Sequence, residues 1–402
     1  MIEWEENEEI QIFREYLRIP SVHPNIDYEP CVEFIRRQAD SLGLPLKIVY
    51  PALKTKPLCI ITYLGTSPDL PAIMLNSHMD VVPVSRDNWT HDPFAADIDE
   101  NGKIFARGTQ DTKELGTQYL GALRYFIRNK IQFKRTIHVV FTPEEEVSGV
   151  DGMREFVHTD EFKNLNVGFL LDEGAPMPTK DEFMIFYAER STWRVEFTIT
   201  GSPGHGSIML HNNAAVKLQK LLTKFIEYRD SQINRIDNPL DIKTAGTVTS
   251  VNITMINGGL LSNVIPSEYI MTVDIRVALD IDHEEFIKMF EGWCNEAGDG
   301  ISYKFEVREN KTPATPIDDS NPYWMAFKKT FDELDIKLVP IICPAATDAR
   351  FIRSVGIPAI GFSPINNTPI LAHAHDEYIE ADMYLKGIDI FKKVISNLAN
   401  LD

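Results

Sequence analysis

Histidine and carboxylate residues follow three apolar runs of the sequence, at the point where each run ends. His78 and Asp80 come after AIMLNS, and Asp172 and Glu173 come after VGFLL. The third run, TIHVVFTP, ends in the glutamates Glu144–Glu146. Open α/β sheets bind ligands in the crevice beyond the carboxyl ends of their strands. If these runs are strands of one such sheet, the sequence predicts a single site that collects these side chains.

Two further segments carry groups of the same kind. Asp111 lies in ARGTQDTK, ahead of a helical pattern, and the cluster HAHDE occupies residues 373–377. Imidazole and carboxylate groups suit Zn²⁺, and two adjacent zinc ions need several anionic ligands, one of them shared. Such a metal pair lowers the pKa of a bound water, and a nearby unligated carboxylate can take the proton. The residue types therefore indicate a metal site that activates water.

The spacing of these residues indicates which of them could bind metal, which could act as a base and which could orient a ligand. In adjacent Glu145 and Glu146, the alternation of a strand would aim the two side chains differently. One could then bind metal while the other serves as a base. In the sequence His78-Met79-Asp80, the carboxylate of Asp80 can reach the second ring nitrogen of His78 and fix its tautomer.

Each of these features alone has an ordinary structural explanation. A single histidine at a strand end is more often structural than a ligand, and a run of glutamates is more often a solvated turn. Asp111 could cap the first turn of the following helix, and HAHDE could be a surface cluster. All of these explanations would have to hold at once, so the joint pattern favours the metal site.

The helices and strands that the sequence predicts are compatible with such a sheet edge. Apolar residues at helical spacing cover the ranges 9–20, 30–43, 111–129, 322–334 and 383–399. Short apolar runs typical of strands cover the ranges 59–65, 72–78, 136–142, 167–174 and 357–364. This alternation predicts an α/β fold around a largely parallel sheet.

A different pattern begins near Phe186. The segment STWRVEFTITGSPGHGS alternates apolar and polar residues, as a half-exposed antiparallel strand does. Helical patterns at 214–230 and 283–297 accompany two more strand-like segments, TVTSVNITMINGG and YIMTVDIRVAL. The resulting order, β-α-β-β-α, predicts a second domain inserted into the α/β chain.

Composition and charge exclude several classes of function. The 402 residues include 40 Lys and Arg against 59 Asp and Glu, a net charge of −19, which disfavours nucleic acid and anionic membrane surfaces as partners. The sequence has no apolar run of about 18 residues, the length that a membrane-spanning helix needs. Its acidic start is unlike a signal peptide, and its four cysteines are scattered without metal or redox spacing. We therefore expect a cytosolic (cytoplasmic) globular protein.

Several motifs together resemble those of a known family. In chain order they are SHMDVVP, ARGTQDTK, PEEEVSG, LDEG, PGHGS, GGLLSNVIP, DIRV, PAATDARFI and HAHDE. In order and spacing they resemble the M20 metallopeptidase/aminoacylase family over essentially the whole chain. The resemblance implies a mostly parallel-sheet, zinc-peptidase-like α/β catalytic domain with an inserted smaller α/β dimerisation, or lid, domain. The catalytic segments would be residues 1–187 and 311–402, and the inserted domain residues 188–310.

The resemblance also implies a set of metal ligands and catalytic residues. Two Zn²⁺ ions per subunit would be bridged by Asp111. One would be held by His78, Asp111 and Glu173, and the other by Asp111, Glu146 and His373. His373 is preferred to His375 because the family ligand lies four residues before a glutamate, here Glu377. Glu145 matches the general base of the family, and Asp80 matches the carboxylate that orients the histidine.

Four other residues match family positions that bind the substrate. His205 in PGHGS corresponds to a histidine that stabilises the oxyanion from the second domain of a partner subunit, which implies a homodimer. Asn263, Arg276 and Arg350 correspond to polar residues near the carbonyl and carboxylate of the substrate. Glu114 departs from the family, which commonly has an uncharged residue at this position.

The family implies that the protein hydrolyses N-acyl-L-amino acids to a carboxylate and a free L-amino acid. The alternative is a dipeptidase or carboxypeptidase on the same two-zinc scaffold. Such an enzyme would accept a free α-amino group and would need an anionic partner for it. A binding protein without activity is disfavoured because the metal ligands and Glu145 are all present.

Overall fold

The computed structural model describes residues 3–401. The helices are α1 (Glu8–Leu17), α2 (Glu29–Leu42), α3 (Lys113–Arg128), α4 (Met153–Phe156), α5 (Asp160–Asn164), α6 (Ala214–Ile233), α7 (Ile242–Ala245), α8 (His283–Ala297), α9 (Pro322–Leu334), α10 (Ala349–Ser354) and α11 (Ala381–Ala399). The strands are β1 (Leu46–Val49), β2 (Leu58–Tyr63), β3 (Ala72–His78), β4 (Asp97–Ile98), β5 (Lys103–Phe105), β6 (Ile137–Thr142), β7 (Val167–Asp172), β8 (Glu182–Glu189), β9 (Ser191–Thr200), β10 (Gly204–His205), β11 (Ser250–Gly258), β12 (Val264–Ile265), β13 (Glu268–Val277), β14 (Ile301–Arg308), β15 (Lys337–Cys343), β16 (Ala359–Phe362) and β17 (Tyr378–Glu380). Short 3-10 helices lie at Glu3–Glu6, Arg86–Asn88 and Glu145–Val147.

The largest sheet has eight strands in the order β1-β2-β6-β3-β7-β16-β8-β15. Its centre, β6-β3-β7-β16, is parallel, and antiparallel pairs join β1, β2 and β8 to the flanks. Every residue of β3 and β6 is buried, which explains why both strands have nearly continuous apolar sequences. The predicted α/β class with a mostly parallel sheet is confirmed.

Helices cover this sheet and complete its core. Helix α3 packs against β3, β6 and α11, and the contact buries Tyr119, Phe141 and Phe391 in one apolar cluster. Helix α2 ends at Gly43, whose φ of 64° is left-handed. A glycine is favoured there because a side chain would strain that backbone conformation.

The described chain divides into two compact units. The first contains the chain up to Tyr187, Pro313–Pro340 and the chain from Thr347 onward. The second contains Ala188–Thr312 and Ile341–Ala346.

The second unit is a four-stranded antiparallel sheet with two helices. Its strand order is β11-β13-β9-β14, and α6 and α8 pack against it around Phe197, Phe225 and Phe290. Strand β14 was not among the predicted elements, although Ile301, Tyr303 and Phe305 alternate with polar residues. The element order is therefore β-α-β-β-α-β, with one strand more than the sequence predicted.

The described chain also contains two small sheets. Strands β17, β5 and β4 form a three-stranded sheet, and β10 pairs with β12. Within residues 3–401, none of the helices combines the length and apolar character needed to cross a bilayer.

Candidate metal centre

His78 stands at the end of β3, where it is buried beside two carboxylates. Its Nδ1 lies 2.8 Å from the main-chain oxygen of Asp80, so Nδ1 must carry the proton of that hydrogen bond. The other nitrogen, Nε2, is 3.0 Å from Oδ1 of Asp111 and 3.4 Å from Oε2 of Glu173. An unprotonated Nε2 and a carboxylate both offer lone pairs, so a proton or a metal ion must lie between them.

Asp111 lies between two histidines and gives one oxygen to each. Its Oδ1 faces His78, and its Oδ2 is 3.1 Å from Nε2 of His373. The same His373 nitrogen is 3.1 Å from Oε2 of Glu146, whose other oxygen is buried without a hydrogen-bond partner among the described residues. The structure therefore brings together all five residues that the family resemblance named as ligands, including Glu173 beside His78.

The charges at this cluster are those of a site that needs cations. Burial raises the pKa of Glu173 well above its usual value, and it also raises the pKa of Glu146, to which neighbouring Asp111 adds. Hydrogen bonds to Asp111 and Glu146 raise the pKa of His373 to about 10. The raised pKa values mean that these acidic groups favour a positive partner, and a metal ion can take that place.

The donor atoms are close enough to share metal ions. Those of His78, Asp111 and Glu146 lie within 4.8 Å of one another, as do those of His78, Glu145 and Glu173. Mixed imidazole and carboxylate donors suit Zn²⁺ and related divalent ions. The residues present therefore fit divalent metal binding.

The structure differs from the sequence interpretation at Asp80. Its carboxylate Oδ1 is 3.7 Å from Nδ1 of His78, because the main-chain oxygen of Asp80 occupies the nearer position. The fully buried carboxylate instead accepts hydrogen bonds from the main-chain N–H groups of Glu145 (3.2 Å) and Glu146 (3.1 Å), and from Nε2 of His23 (2.8 Å). Asp80 therefore holds the turn that carries Glu145 and Glu146.

This turn also differs from the predicted strand end. Strand β6 stops at Thr142, and Glu145 and Glu146 lie in a 3-10 helix that follows Glu144, whose φ is 57°. The side chains diverge because the chain turns, and strand alternation plays no part. Burial, with the nearby charge of Glu173, raises the pKa of Glu145 well above its usual value.

Sequence reasoning missed the group that joins the loops of Asp111 and His373. The buried carboxylate of Glu377 accepts hydrogen bonds from Nη1 of Arg107 (2.6 Å) and the main-chain N–H of Gln110 (2.7 Å). The Gln110 side chain donates to the carbonyl of Tyr378 (2.8 Å) and accepts from the N–H of Leu371 (2.8 Å). The opposite charges in the ARG and HAHDE motifs were the available signal for this link.

Further buried polar groups lie on the strands that carry the site. Nδ2 of Asn76 donates to Asp172 (2.9 Å), and the Thr142 hydroxyl donates to Asp348 (2.9 Å), whose pKa burial raises to about 7. Neither oxygen of Glu114 has a hydrogen-bond partner within the described chain. Burial, with the nearby charge of Asp111, raises its pKa well above the usual range.

The four expected substrate-binding residues fall into three places. Arg350, in the first unit, is buried, donates to the carbonyls of Thr347 (2.5 Å) and Ser148 (2.8 Å), and lies 4.0 Å from Oε1 of Glu145. His205 and Asn263 lie together in the second unit, where the N–H of Gly206 donates to the carbonyl of Asn263 (2.8 Å).

Arg276 lies away from His205 and Asn263, towards the other end of β13. It forms hydrogen bonds with Asp274 (2.9 Å) and Thr192 (3.1 Å). The rise of a strand places it about 25 Å from the beginning of β13. Within one copy of the second unit, these three residues therefore do not form one pocket.

Comparison with known proteins gives concordant results. The model of the family described as peptidase family M20/M25/M40 matches residues 74–397. Aminoacylase-1 of Mus musculus is 44% identical over 396 residues, which cover 98% of this chain and 96% of that protein. An M20 family metallo-carboxypeptidase from Sulfolobus solfataricus shares the fold, with a TM-score of 0.78, 16% identity, and coverage of 98% of this chain and 99% of that chain. A dinuclear metal-binding M20 peptidase of Bacillus subtilis has a TM-score of 0.67 and 17% identity, covering 98% of this chain and 99% of that chain.

Proposed function

Since the chain belongs to peptidase family M20/M25/M40, we propose that it hydrolyses the amide bond of N-acyl-L-amino acids to a carboxylate and a free L-amino acid. The observation that carries this function is the position of Asp111 between His78 and His373, with Glu145 buried beside the same cluster. The substrate class follows from the Aminoacylase-1 relatives, which match almost the full length. The protein is thus a metal-dependent amidohydrolase.

The proposed metals are two Zn²⁺ ions with Asp111 as their shared ligand. The residues that would hold the first are His78, Asp111 and Glu173, and those that would hold the second are Asp111, Glu146 and His373. When bound, such a pair lowers the pKa of a water molecule and polarises a carbonyl oxygen.

Glu145 is the proposed general base and acid. Its buried carboxylate takes the proton of the attacking water and then gives it to the nitrogen of the departing amino acid. A raised pKa suits this task, because the group must both accept and release a proton near neutral pH. Asp80 keeps Glu145 in place through the main-chain hydrogen bond at 3.2 Å.

The remaining site residues are proposed to bind the substrate. His205 is exposed, with its Nδ1 2.8 Å from the Ser207 hydroxyl, so its Nε2 can stabilise the oxyanion in the active site of a partner subunit. Asn263 lies beside it. Arg276 and Arg350 are proposed to bind the carboxylate and carbonyl of the substrate, since guanidinium groups pair well with carboxylates.

A homodimer is supported by an apolar surface on the second unit. Strand β11 is at an edge of its sheet, and Met255 and Ile256 on it are about half exposed. Leu260 and Leu261 in the following loop are 98% and 67% exposed. Exposed apolar groups on a sheet edge favour association, and we propose a second copy of the chain as the partner. The cytosolic location stays a prediction.

The test compares two substrates of the purified, zinc-loaded protein. N-acetyl-L-methionine should be hydrolysed, a chelator should abolish the activity, and the D enantiomer should be a poor substrate. Dipeptides of methionine are the comparison, because their free α-amino group needs an anionic partner. Cleavage of dipeptides alone would mean that the protein is a peptidase, and no cleavage of either would contradict the proposal.

A further inference from the structure

His23, which is not among the proposed metal ligands, contacts Asp80. Asp80 holds the turn that carries Glu145 and Glu146. Nε2 of His23 lies 2.8 Å from Oδ2 of Asp80, and the Asp80 carboxylate is completely buried. The other donors to this carboxylate are the main-chain N–H groups of Glu145 and Glu146. Across the described residues, His23 is the one side chain that donates a hydrogen bond to the Asp80 carboxylate, since His78 donates to the main-chain oxygen of Asp80.

The main chain fixes where the His23 ring can be. The residues before it run parallel to the end of the His78 segment, with a bridge between Val22 and Val81. The N–H of Val81 donates to the carbonyl of Ser21 (2.9 Å), and the N–H of His23 donates to the carbonyl of Val81 (3.3 Å). These contacts fix the main chain at His23 beside the segment that carries Asp80, within reach of the His23 ring.

We propose that His23 is a positioning residue for the hydrolysis reaction. A carboxylate can only accept, so Nε2 of His23 carries the proton of the hydrogen bond. By satisfying Oδ2, His23 orients the Asp80 carboxylate so that both of its oxygens face the N–H groups of the turn. The proposal rests on the proposed function, since the turn matters because it carries the base Glu145 and the ligand Glu146.

Loss of this hydrogen bond should reduce kcat with little change in KM. Without His23, the Asp80 carboxylate can rotate and the N–H groups of Glu145 and Glu146 lose a fixed acceptor. Glu145 then leaves the position from which it transfers a proton, whereas Arg350 is held by its own carbonyl partners. Loss of a residue that hydrogen-bonds to a metal ligand and orients it typically lowers metal affinity or activity about 10- to 100-fold.

His23 also lines an open cleft, which allows a chemical rescue. The cleft has a volume of about 520 Å³, and its lining includes Tyr28, Lys56 and Val147. Replacing His23 by alanine would open a space continuous with this cleft. Imidazole from solution could enter that space and donate to Asp80 in place of the lost ring.

The experiment compares His23→Ala, His23→Gln and a control, His138→Gln. The amide nitrogen of glutamine can reach roughly the position of Nε2, so His23→Gln keeps a donor. His138 is a buried histidine of the same unit, but its partners are the Thr62 hydroxyl and the Leu165 carbonyl. The zinc-loaded variants are assayed with N-acetyl-L-methionine, and amide hydrogen exchange is followed in the peptide that contains Glu145 and Glu146.

We expect His23→Ala to lower kcat about 10- to 100-fold and to change KM little. We also expect faster amide hydrogen exchange in the peptide of residues 143–149. Imidazole should partly restore kcat relative to its effect on the unsubstituted protein. His23→Gln should retain most of the activity, and its amide hydrogen exchange should stay slow. His138→Gln should change neither the activity nor the exchange rate. If His23→Ala does not fold, His23→Leu, which keeps side-chain volume but has no donor, takes its place in the same two measurements.

Other outcomes would overturn the proposal. One is full activity of His23→Ala, and another is unchanged exchange in its 143–149 peptide. A third is a His23→Gln variant that is as impaired as the alanine variant. The exchange measurement needs no substrate, so it tests the His23–Asp80 link even if the protein does not hydrolyse N-acyl amino acids. Failure of this inference and failure of the proposed function are thereby distinguished.

Discussion

The three consecutive glutamates of the PEEE motif have three different environments. Glu144 forms an ion pair with Lys56 at 2.5 Å, which fixes the beginning of the turn. Glu146 faces His373. Glu145 is buried between the charge of Glu173 and the guanidinium of Arg350, 4.0 Å away. At the scale of single residues, the motif therefore places a structural group, a proposed ligand and the proposed base within one turn.

Replacing Glu145 by Gln should remove activity without removing the metals. The amide has the same shape but cannot take a proton from water, so kcat should fall about 10²- to 10⁴-fold. Glu146→Gln is the matched comparison, because it should lower the metal content as well. Steady-state kinetics and metal analysis of both variants check this, and full activity of Glu145→Gln would contradict the assignment.

At the scale of elements, the sequence predicted the central strands best. Strands β3, β6 and β7 are largely buried, so their apolar runs are complete and their polar ends stand out. Helices α8 and α9 were predicted with the bounds that the structure has, because Asp282 and Asn321 cap them through side-chain hydrogen bonds. Strand β14 was missed because it is half exposed and is defined by pairing with β9, far away in the sequence.

The site was predictable where a proposed ligand lies at the end of a strand, as His78 does in β3, or directly after it, as Glu173 does after β7. It was less predictable where contacts distant in sequence decide the geometry. The loop of Asp111 and the loop of His373 are joined by hydrogen bonds to Glu377 that span about 270 residues of sequence. The family resemblance grouped Asp111 with His373, but it did not supply the hydrogen bonds through which Glu377 joins their loops.

Replacing Glu377 by Gln should loosen the two loops and weaken metal binding. The amide oxygen can accept part of the hydrogen bonds, but the amide NH₂ would face the N–H groups of the Asp111 loop. We expect about 1–3 kcal/mol lower stability and about 10- to 100-fold weaker metal affinity. Competition with a chelator measures the affinity, and thermal unfolding measures the stability.

The neighbouring Asp376 offers a control for that variant. Asp376 is partly exposed, and its carboxylate accepts the N–H of Thr90 at 2.8 Å. Asp376→Asn should therefore change metal affinity little. Equal losses in Glu377→Gln and Asp376→Asn would show that Glu377 has no special part in joining the loops.

A buried histidine in β6 should make the first unit sensitive to acid. Burial lowers the pKa of His138 from 6.5 to about 4, so the folded protein keeps the ring neutral where the unfolded chain binds a proton. The stability that depends on this ring is complete above pH 6.5 and decreases as the pH falls towards 4. Complete loss of this contribution lowers the free energy of unfolding by about 3 kcal/mol.

His138→Gln tests this pH dependence, because glutamine can still form hydrogen bonds to Thr62 and Leu165 but does not titrate. The midpoint of thermal unfolding should fall less in the variant than in the unsubstituted protein between pH 7 and pH 5. A parallel fall in both proteins would mean that His138 is protonated in the folded state as well.

At the scale of the whole molecule, the net charge of −19 makes local cations important for an anionic substrate. The proposed binders Arg276 and Arg350 belong to different units, as do His205 and Glu145. Along β13, Arg276 is far from the His205–Asn263 pair. The proposed homodimer accounts for this division if His205 and Asn263 act on the site of the partner subunit.

Hybrid dimers can test this arrangement. A His205→Ala subunit has an intact base, and a Glu145→Gln subunit has an intact His205, so each alone forms inactive or weakly active homodimers. If His205 acts on the partner's site, every hybrid dimer contains one complete site. Random exchange makes half of the dimers hybrid, so about a quarter of the unsubstituted activity should return. Two affinity tags can verify the hybrids, and verified hybrids without activity would place His205 in the site of its own subunit or outside the reaction.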